Sequence, residues 1–306
     1  MDQAVRLVTH RIGVEALACG ERLDLFLARR ITGASRKKIK RALDDNRIKV
    51  NGRVVRRAGH LLAGGEQIVA LVEVDESSDP QCLDVLFRDD CLLAVNKPAG
   101  LAAHGGPGGG ANALDLAREL LGADATPPIL LHRLDQDTSG VLLFALSPAA
   151  NRELARQFSA REVEKIYLAL VQGAPPPCFS VQNHLKAKSR GRTLAVHSGG
   201  LAAQTNFTTL HRGTGLALVE ARPRTGRTHQ IRVHLAGEGF PLLGDILYGG
   251  PGFVALGGAT LAVSRHLLHA WRLRVMHPRS GTLLSLEAPF PEDFKLILNG
   301  VCGPPE

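Results

Sequence analysis

The 306-residue sequence predicts an α+β fold: a mixed, mostly antiparallel sheet preceded by a small basic unit of two helices and a hairpin. Three observations lead there. Strand-like segments dominate after residue 83, without the regular helical crossovers of a doubly wound sheet. The length suits two domains, and a composition 44% hydrophobic and 22% charged suits a full core. The basic charge is also concentrated: residues 22–57 hold 13 Lys/Arg against 3 Asp/Glu, and all other residues hold 24 against 26. The net charge of +8 thus comes from one short segment. That is the footprint of a module that binds a polyanion through counterion release. A solvated charged surface is the alternative.

Composition also excludes. No apolar run is long enough to span a bilayer. The N-terminus "MDQAVRLVTHRIGVEALACG" has no apolar core of signal-peptide length, so a cytoplasmic location is expected. The cysteines, Cys19, Cys82, Cys91, Cys178 and Cys302, form no CxxC pair. Scattered free thiols fit a reducing compartment and argue against a structural zinc site. No metal is expected.

Residues 1–17 read as an N-terminal extension and 18–76 as the basic domain. "ERLDLFLARRI" sets Leu23, Phe26 and Leu27 at helical spacing. Ser35 caps a second helix with an Ile39, Ala42 and Leu43 stripe and Arg36, Lys37, Lys38, Lys40 and Arg41 on its other faces. "IKVNGRVV" makes two short strands around Asn51-Gly52, with Lys49 and Arg53 on them. "LLAGGEQIVALV" adds a strand. Residues 77–82 are a polar linker.

The second domain, 83–299, opens with strand, Asp89-Asp90 turn and strand. "HGGPGGG" lacks the register of a nucleotide fingerprint and reads as a loop. "ALDLARELLG" and "SPAANRELARQF" are helices. In "EKIYLALVQG", Ile166, Leu168 and Leu170 share one strand face, and Lys165, Tyr167 and Ala169 share the other. Hairpins follow. A basic turn, "RPRTGRTHQIRVH", then leads into a helix with Thr228 as N-cap and Gly237 as C-cap. A meander ending in Pro-rich turns closes the domain.

The chemistry concentrates in "ILLHRLDQDTSGVLLFAL", a charged loop between apolar runs. Asp135, Asp137, Ser139 and Gly140 fit positions 1, 3, 5 and 6 of a calcium loop, but Leu146 stands where the closing glutamate belongs. Calcium is excluded. A tight turn accounts for Asp137, Thr138 and Ser139. For "HRLD", a structural turn and a catalytic carboxylate both remain open. The basic turn carries Arg222, Arg224, Arg227 and Arg232 with His229 and His234. It lacks the spacing of a zinc motif. It can grip phosphate, or a guanidinium can pair with a carboxylate and orient it. A solvated basic surface remains the alternative.

Residues 18–74, through "RLDLFL", "SRKKIKRAL" and "IKVNGRVV", resemble an S4-type RNA-binding domain. Residues 83–295 resemble the RluA-type pseudouridine synthase family. The blocks that carry this are "HRLDQDTSGVLL", "EKIYLALVQG" and "RTGRTHQIRVHL…GFPLLGDILYG", flanked by "KPAGLAAHGG" and "LHAWRLRVMHP". The "HGGPG" loop is most like the RluC-type branch, and an S4 module is typical of members acting on large-subunit ribosomal RNA.

The resemblance implies the rest. Asp135 would be the catalytic carboxylate, acting at C6 of uracil, at C1′ or through a glycal. Arg227 would pair with it. Tyr167 would pack on the target base and assist removal of the C5 proton. Arg133, His132, His229 and Gln230 would bind the flipped nucleotide. Ile231 would wall the uracil pocket, or sit in the core. Asp245 and Tyr248 read as structural. Arg36, Lys37, Lys38, Lys40, Arg41, Lys49 and Arg53 would bind RNA. An isomerisation needs no cofactor. The expected partner is RNA, ribosomal before transfer RNA, with no DNA or membrane, and the protein would be a monomer. Two rivals stand beside this: a non-catalytic RNA-binding assembly factor, and a carboxylate-pair glycosidase. For the latter, Asp135 and Asp137 sit too close to flank a sugar.

Overall fold

The computed structural model describes residues 5–14, 19–31, 34–75, 83–105, 111–188, 191–256 and 258–302. The expected linker at 77–82 and most of the glycine-rich loop at 104–110 lie outside the described residues. The chain divides into two compact units: Met1–Cys82 with His104–Leu116, and Leu83–Ala103 with Ala117–Glu306. Residues 104–116, expected in the second domain, thus group with the first.

In the first unit, strand β1 is Val5–Gly13. Helices α1 (Leu23–Arg30) and α2 (Arg36–Asp44) follow, then β2 (Ile48–Val50), β3 (Arg53–Val54) and β4 (Gln67–Asp75). Reading residues 1–17 as an extension is corrected here. β1 pairs antiparallel with β4 along its whole length, in a sheet ordered β1-β4-β2-β3. Alternation of exposed Leu7 with half-buried Val8 marks it as an edge strand, a pattern easily missed over nine residues. Ser35 caps α2, its Oγ accepting from the Lys38 N–H at 3.3 Å. Asn51 and Gly52, at φ 48° and 79°, make the left-handed turn that joins β2 to β3. Leu23, Phe26, Leu27, Ile39, Leu43, Ile48 and Ile68 are buried together as the core.

One carboxylate lies inside this basic unit. Asp24 is buried and accepts from Arg22 at 3.0 and 3.2 Å and from Arg36 at 2.9 Å. It ties the start of α2 to the start of α1. Arg36 is therefore partly committed to the fold. Lys40, Arg41, Lys49 and Arg53 stand exposed, while the side chain of Lys37 lies outside the described residues.

The second unit runs β5 (Asp84–Arg88), β6 (Leu92–Lys97), α3 (Ala113–Leu121, begun in the first unit), β7 (Ile129–Leu130), β8 (Ser139–Ala145) and α4 (Pro148–Ser159). It continues with β9 (Glu164–Gln172), β10 (Cys178–Ala187), β11 (Thr193–Val196), β12 (Leu201–Arg212) and β13 (Leu216–Pro223). Helix α5 (Gln230–Gly237), a 3₁₀ turn (Ile246–Tyr248), β14 (Phe253–Leu256), β15 (Ala259–Ala262), β16 (Leu268–Met276), β17 (Leu283–Glu287) and α6 (Glu292–Cys302) complete it. The large sheet is ordered β11-β10-β12-β13-β9-β16-β8-β6-β5, with β17 on β16 and β7 on β8. Only β8 with β16 pairs parallel among the described strands.

The central strands bury both faces. Leu168 and Leu170 of β9 and Leu216 and Leu218 of β13 pack with Phe294, Ile297 and Val301 of α6. The alternate residues, Ala169, Val171, Ala217, Val219 and Ala221, pack with Ile231 and Leu235 of α5. The face of β9 read as non-apolar is thus buried too, and small side chains there let α5 approach. Helix α6 replaces the expected Pro-rich turns. Pro291, the acidic pair Glu292 and Asp293 and the stripe Phe294, Ile297 and Val301 are its start signal and its period. Helix α5 also differs: it starts at Gln230, with His229 rather than Thr228 at the N-cap, and its C-cap is Glu238 rather than Gly237.

Candidate active site

Asp135 lies on the loop between β7 and β8, and four later residues frame that loop. Its carbonyl accepts from the Thr138 N–H at 3.0 Å, which closes the turn. Arg265 donates to the Asp137 carbonyl at 2.9 Å while gripping Asp293 through two bonds. Thr138 and Ser139 bond His266 and His269, each at 2.9 Å. Gly140, at φ 118°, allows β8 to run against β16, because a Cβ there would collide with the Ala270 carbonyl.

From below, the fully buried Lys97 donates to the carbonyls of Pro98, Leu101 and Gln136 at 2.8, 2.8 and 2.9 Å. Burial lowers its pKa to about 7, with the charges of Asp137 and Asp135 opposing. Three carbonyls call for three N–H donors, which only the ammonium supplies. The lysine in "AVNKPAG" is therefore a cationic peg under the loop.

The partner of Asp135 is Arg232, not Arg227. Arg232 Nη1 donates to Asp135 Oδ2 at 3.2 Å. Its other edge is clamped by the buried Asp245, Nε to Oδ2 at 2.7 Å and Nη2 to Oδ1 at 2.8 Å. The Tyr248 ring lies 5.1 Å from its guanidinium carbon. Burial pulls the Arg232 pKa down, and Asp245 and then Asp135 more than offset it. Arg227, one turn earlier, gives its Nε to the Ala202 carbonyl at 3.1 Å. The Asp135 side chain keeps 24% of its surface open, so the carboxylate is held on one side and accessible on the other.

Two more of the expected residues meet it. His229 Nε2 stands 3.8 Å from Asp135 Oδ2. Tyr167, on β9, feels the same carboxylate: burial first, and the charge of Asp135 second, push its phenol well above the usual range. It stays protonated near neutral pH. Ile231 is buried in the cluster against which Tyr167 packs.

Others do not face the chemistry. All four bonds of the Gln230 amide are internal: it accepts from Thr225 Oγ1 and the Arg227 N–H and donates to the Gln204 carbonyl and Thr205 Oγ1. It knots the basic turn together. His132 accepts from the Leu143 N–H at 3.2 Å and stacks on Phe158. Burial, then the charge of Lys165, lower its pKa to about 3, so it is a neutral brace on β8. Arg133 is exposed on the loop. Lys97, Asp245, Tyr248, Arg265 and His266 escaped sequence reasoning as site residues. Their shared signal is a polar residue inside an apolar stretch, which folds only with a partner.

Outside the site, Asp89, Cys91 and His277 place potential ligand atoms within 4.8 Å of one another. The same atoms make a turn clamp. His277 Nε2 bonds Asp89 Oδ2 at 2.6 Å, and Asp89 Oδ1 accepts from the Cys91 and Leu92 N–H groups.

Residues 91–237 match the family model described as RNA pseudouridylate synthase, and residues 21–68 match the S4 domain. The ribosomal large subunit pseudouridine synthase C of Pasteurella multocida is 34% identical over 98% of this chain and 95% of its own. The chain belongs to the RluA family of RNA pseudouridine synthases. The synthase is also 35% identical to the ribosomal large subunit pseudouridine synthase D of Haemophilus ducreyi, over 94% of this chain and 93% of that one. Among solved structures, human RNA pseudouridylate synthase domain containing 4 superposes with a TM-score of 0.57 at 28% identity, over 71% of this chain and 92% of that one. The synthase is an isomerase, and its S4 domain implies RNA binding.

Proposed function

We propose that this synthase converts uridine to pseudouridine in large-subunit ribosomal RNA, with Asp135 as its catalytic carboxylate. One observation carries the assignment of Asp135: a half-open carboxylate on a rigid loop, held by Arg232, which Asp245 holds in turn. The ribosomal substrate is supported by relatives over nearly the full length whose names specify the large ribosomal subunit.

The reaction breaks N1–C1′, turns the uracil and joins C5 to C1′. C5 gives up a proton and N1 gains one, so the balance is redox-neutral. A carboxylate serves because it can add to the base or the sugar and leave again. Arg232 aims it, in the role first given to Arg227. The Tyr167 ring offers an apolar surface to the base, with Ile231 buried behind it, and Arg133 stands on the loop that carries Asp135. The exposed Lys40, Arg41, Lys49 and Arg53 of the S4 domain, with Arg36, Lys37 and Lys38, supply phosphate contacts.

Asp135→Asn is expected to abolish isomerisation while RNA binding persists, measured as pseudouridine formed and as Kd on the same transcript. An active asparagine variant would remove Asp135 from the chemistry. Mapping pseudouridine in total RNA with and without the gene tests the substrate. Sites lost from transfer RNA alone would overturn the ribosomal assignment.

A further inference from the structure

The Tyr248 hydroxyl sits between a donor and an acceptor. The Thr193 N–H donates to its hydroxyl oxygen at 2.8 Å. On the other side the hydroxyl lies 2.8 Å from His229 Nδ1. With its oxygen already accepting, the hydroxyl has one proton to give, and the nearby acceptor is Nδ1. That fixes the tautomer: Nδ1 carries the lone pair and Nε2 carries the hydrogen. The opposite tautomer would aim a lone pair at the Asp135 carboxylate. Burial lowers the pKa of His229, so its ring favours the neutral form.

We propose that Tyr248 is a positioning residue, one that presents His229 Nε2–H as a neutral donor beside Asp135. The proposal rests on Asp135 being the catalytic carboxylate. At 3.8 Å from Oδ2, the N–H stops just outside hydrogen-bond range. Among the described residues no other group takes it. It is therefore available to an oxygen of the bound uridine, a uracil carbonyl or a ribose oxygen, lying against the carboxylate. The backbone is set for this. His229 is one of four non-glycine residues with positive φ among the described residues, at 56°, a strained state that persists only where its surroundings impose it. That conformation starts α5, and the same helix carries Arg232. One residue thus delivers the neutral donor, and the next turn delivers the cation.

The test uses the full-length protein with ¹⁵N-labelled histidine, and the Nε2 and Nδ1 resonances of His229 are assigned by their loss in His229→Gln. The wild-type ring should show hydrogen on Nε2, and Tyr248→Phe, which keeps the aromatic ring, should shift it toward the other tautomer. On RNA, Tyr248→Phe and His229→Ala should each lower kcat, His229→Ala by about 100- to 1000-fold, with little change in KM, the scale for one preorganised donor. Their double variant should be no worse than His229→Ala alone. His229→Gln, whose amide N–H can stand where Nε2–H stood, should recover part of the loss. A wild-type ring with hydrogen on Nδ1, a tautomer unmoved in Tyr248→Phe, or equal activity of the Gln and Ala variants would overturn the proposal. Asp135→Asn is assayed alongside: its activity would sink the carboxylate assignment, while the tautomer spectra judge Tyr248 and His229 separately.

Discussion

Asp245 shows how much of the site depends on residues that never meet substrate. It is buried and gives both oxygens to Arg232. Asp245→Asn removes the charge that anchors a buried guanidinium. A broken buried pair costs about 3–5 kcal/mol, so the urea midpoint should fall and turnover should fall with it. Arg232→Ala should lose far more activity than Arg227→Ala, whose side chain reaches the Ala202 carbonyl instead; equal losses would return Arg227 to the site. Sequence alone could not separate these arginines. "HRLD" and "RTGRTHQIRVH" were legible as two charged turns of interest, and the structure sets His229 Nε2 3.8 Å from Asp135 Oδ2. Which arginine reaches the carboxylate depends on a left-handed residue at 229. The type of that residue announces its conformation only weakly, since positive φ is uncommon even for histidine.

Local chemistry announced the elements well where they are amphipathic. Ser35, the Asn51-Gly52 turn and the α2 stripe all behave as their types dictate. Two elements escaped for physical reasons. Edge strand β1 has weak alternation, and α6 begins at Pro291 in a stretch that turn rules claim first. Strand β9 was legible as a strand, but not as one buried on both faces, because its second face opens with Lys165 and Tyr167 before Ala169 and Val171. The parallel contact of β8 with β16 was invisible, since register across such a distance leaves no local trace. It hangs on Gly140, at φ 118° against the Ala270 backbone. Gly140→Ala should therefore lose about 3 kcal/mol or more of stability. Chemical denaturation reads this directly, and an unchanged midpoint would mean that the two strands part without cost.

The larger unit is made acid-sensitive by neutral histidines. His234, His266 and His269 are all buried, and burial, the leading cause in each, lowers their pKa values to about 4, 2 and 4. The unfolded chain takes up these protons near pH 6.5, the folded chain only further down. In that window the unfolded state binds more protons, so stability falls as pH falls. Each group contributes about 1.4 kcal/mol per pH unit there. Stability should be level above pH 7 and drop steeply from about 6.5 toward 4. A urea midpoint that stays flat to pH 4.5 would show that these rings are already charged in the fold. Since His266 and His269 hold Thr138 and Ser139, turnover should fail with the fold at the acid end.

The frame of the Asp135 loop has a consequence for the order in which the protein comes off the ribosome. Arg265 and His266 bind atoms 128 positions earlier in the chain, and Arg265 leans on Asp293. A nascent chain that has emerged only through β13 already carries Asp135, Tyr167 and most of the central sheet, but not the braces that aim the carboxylate. Synthesis must pass Asp293 before the loop is set.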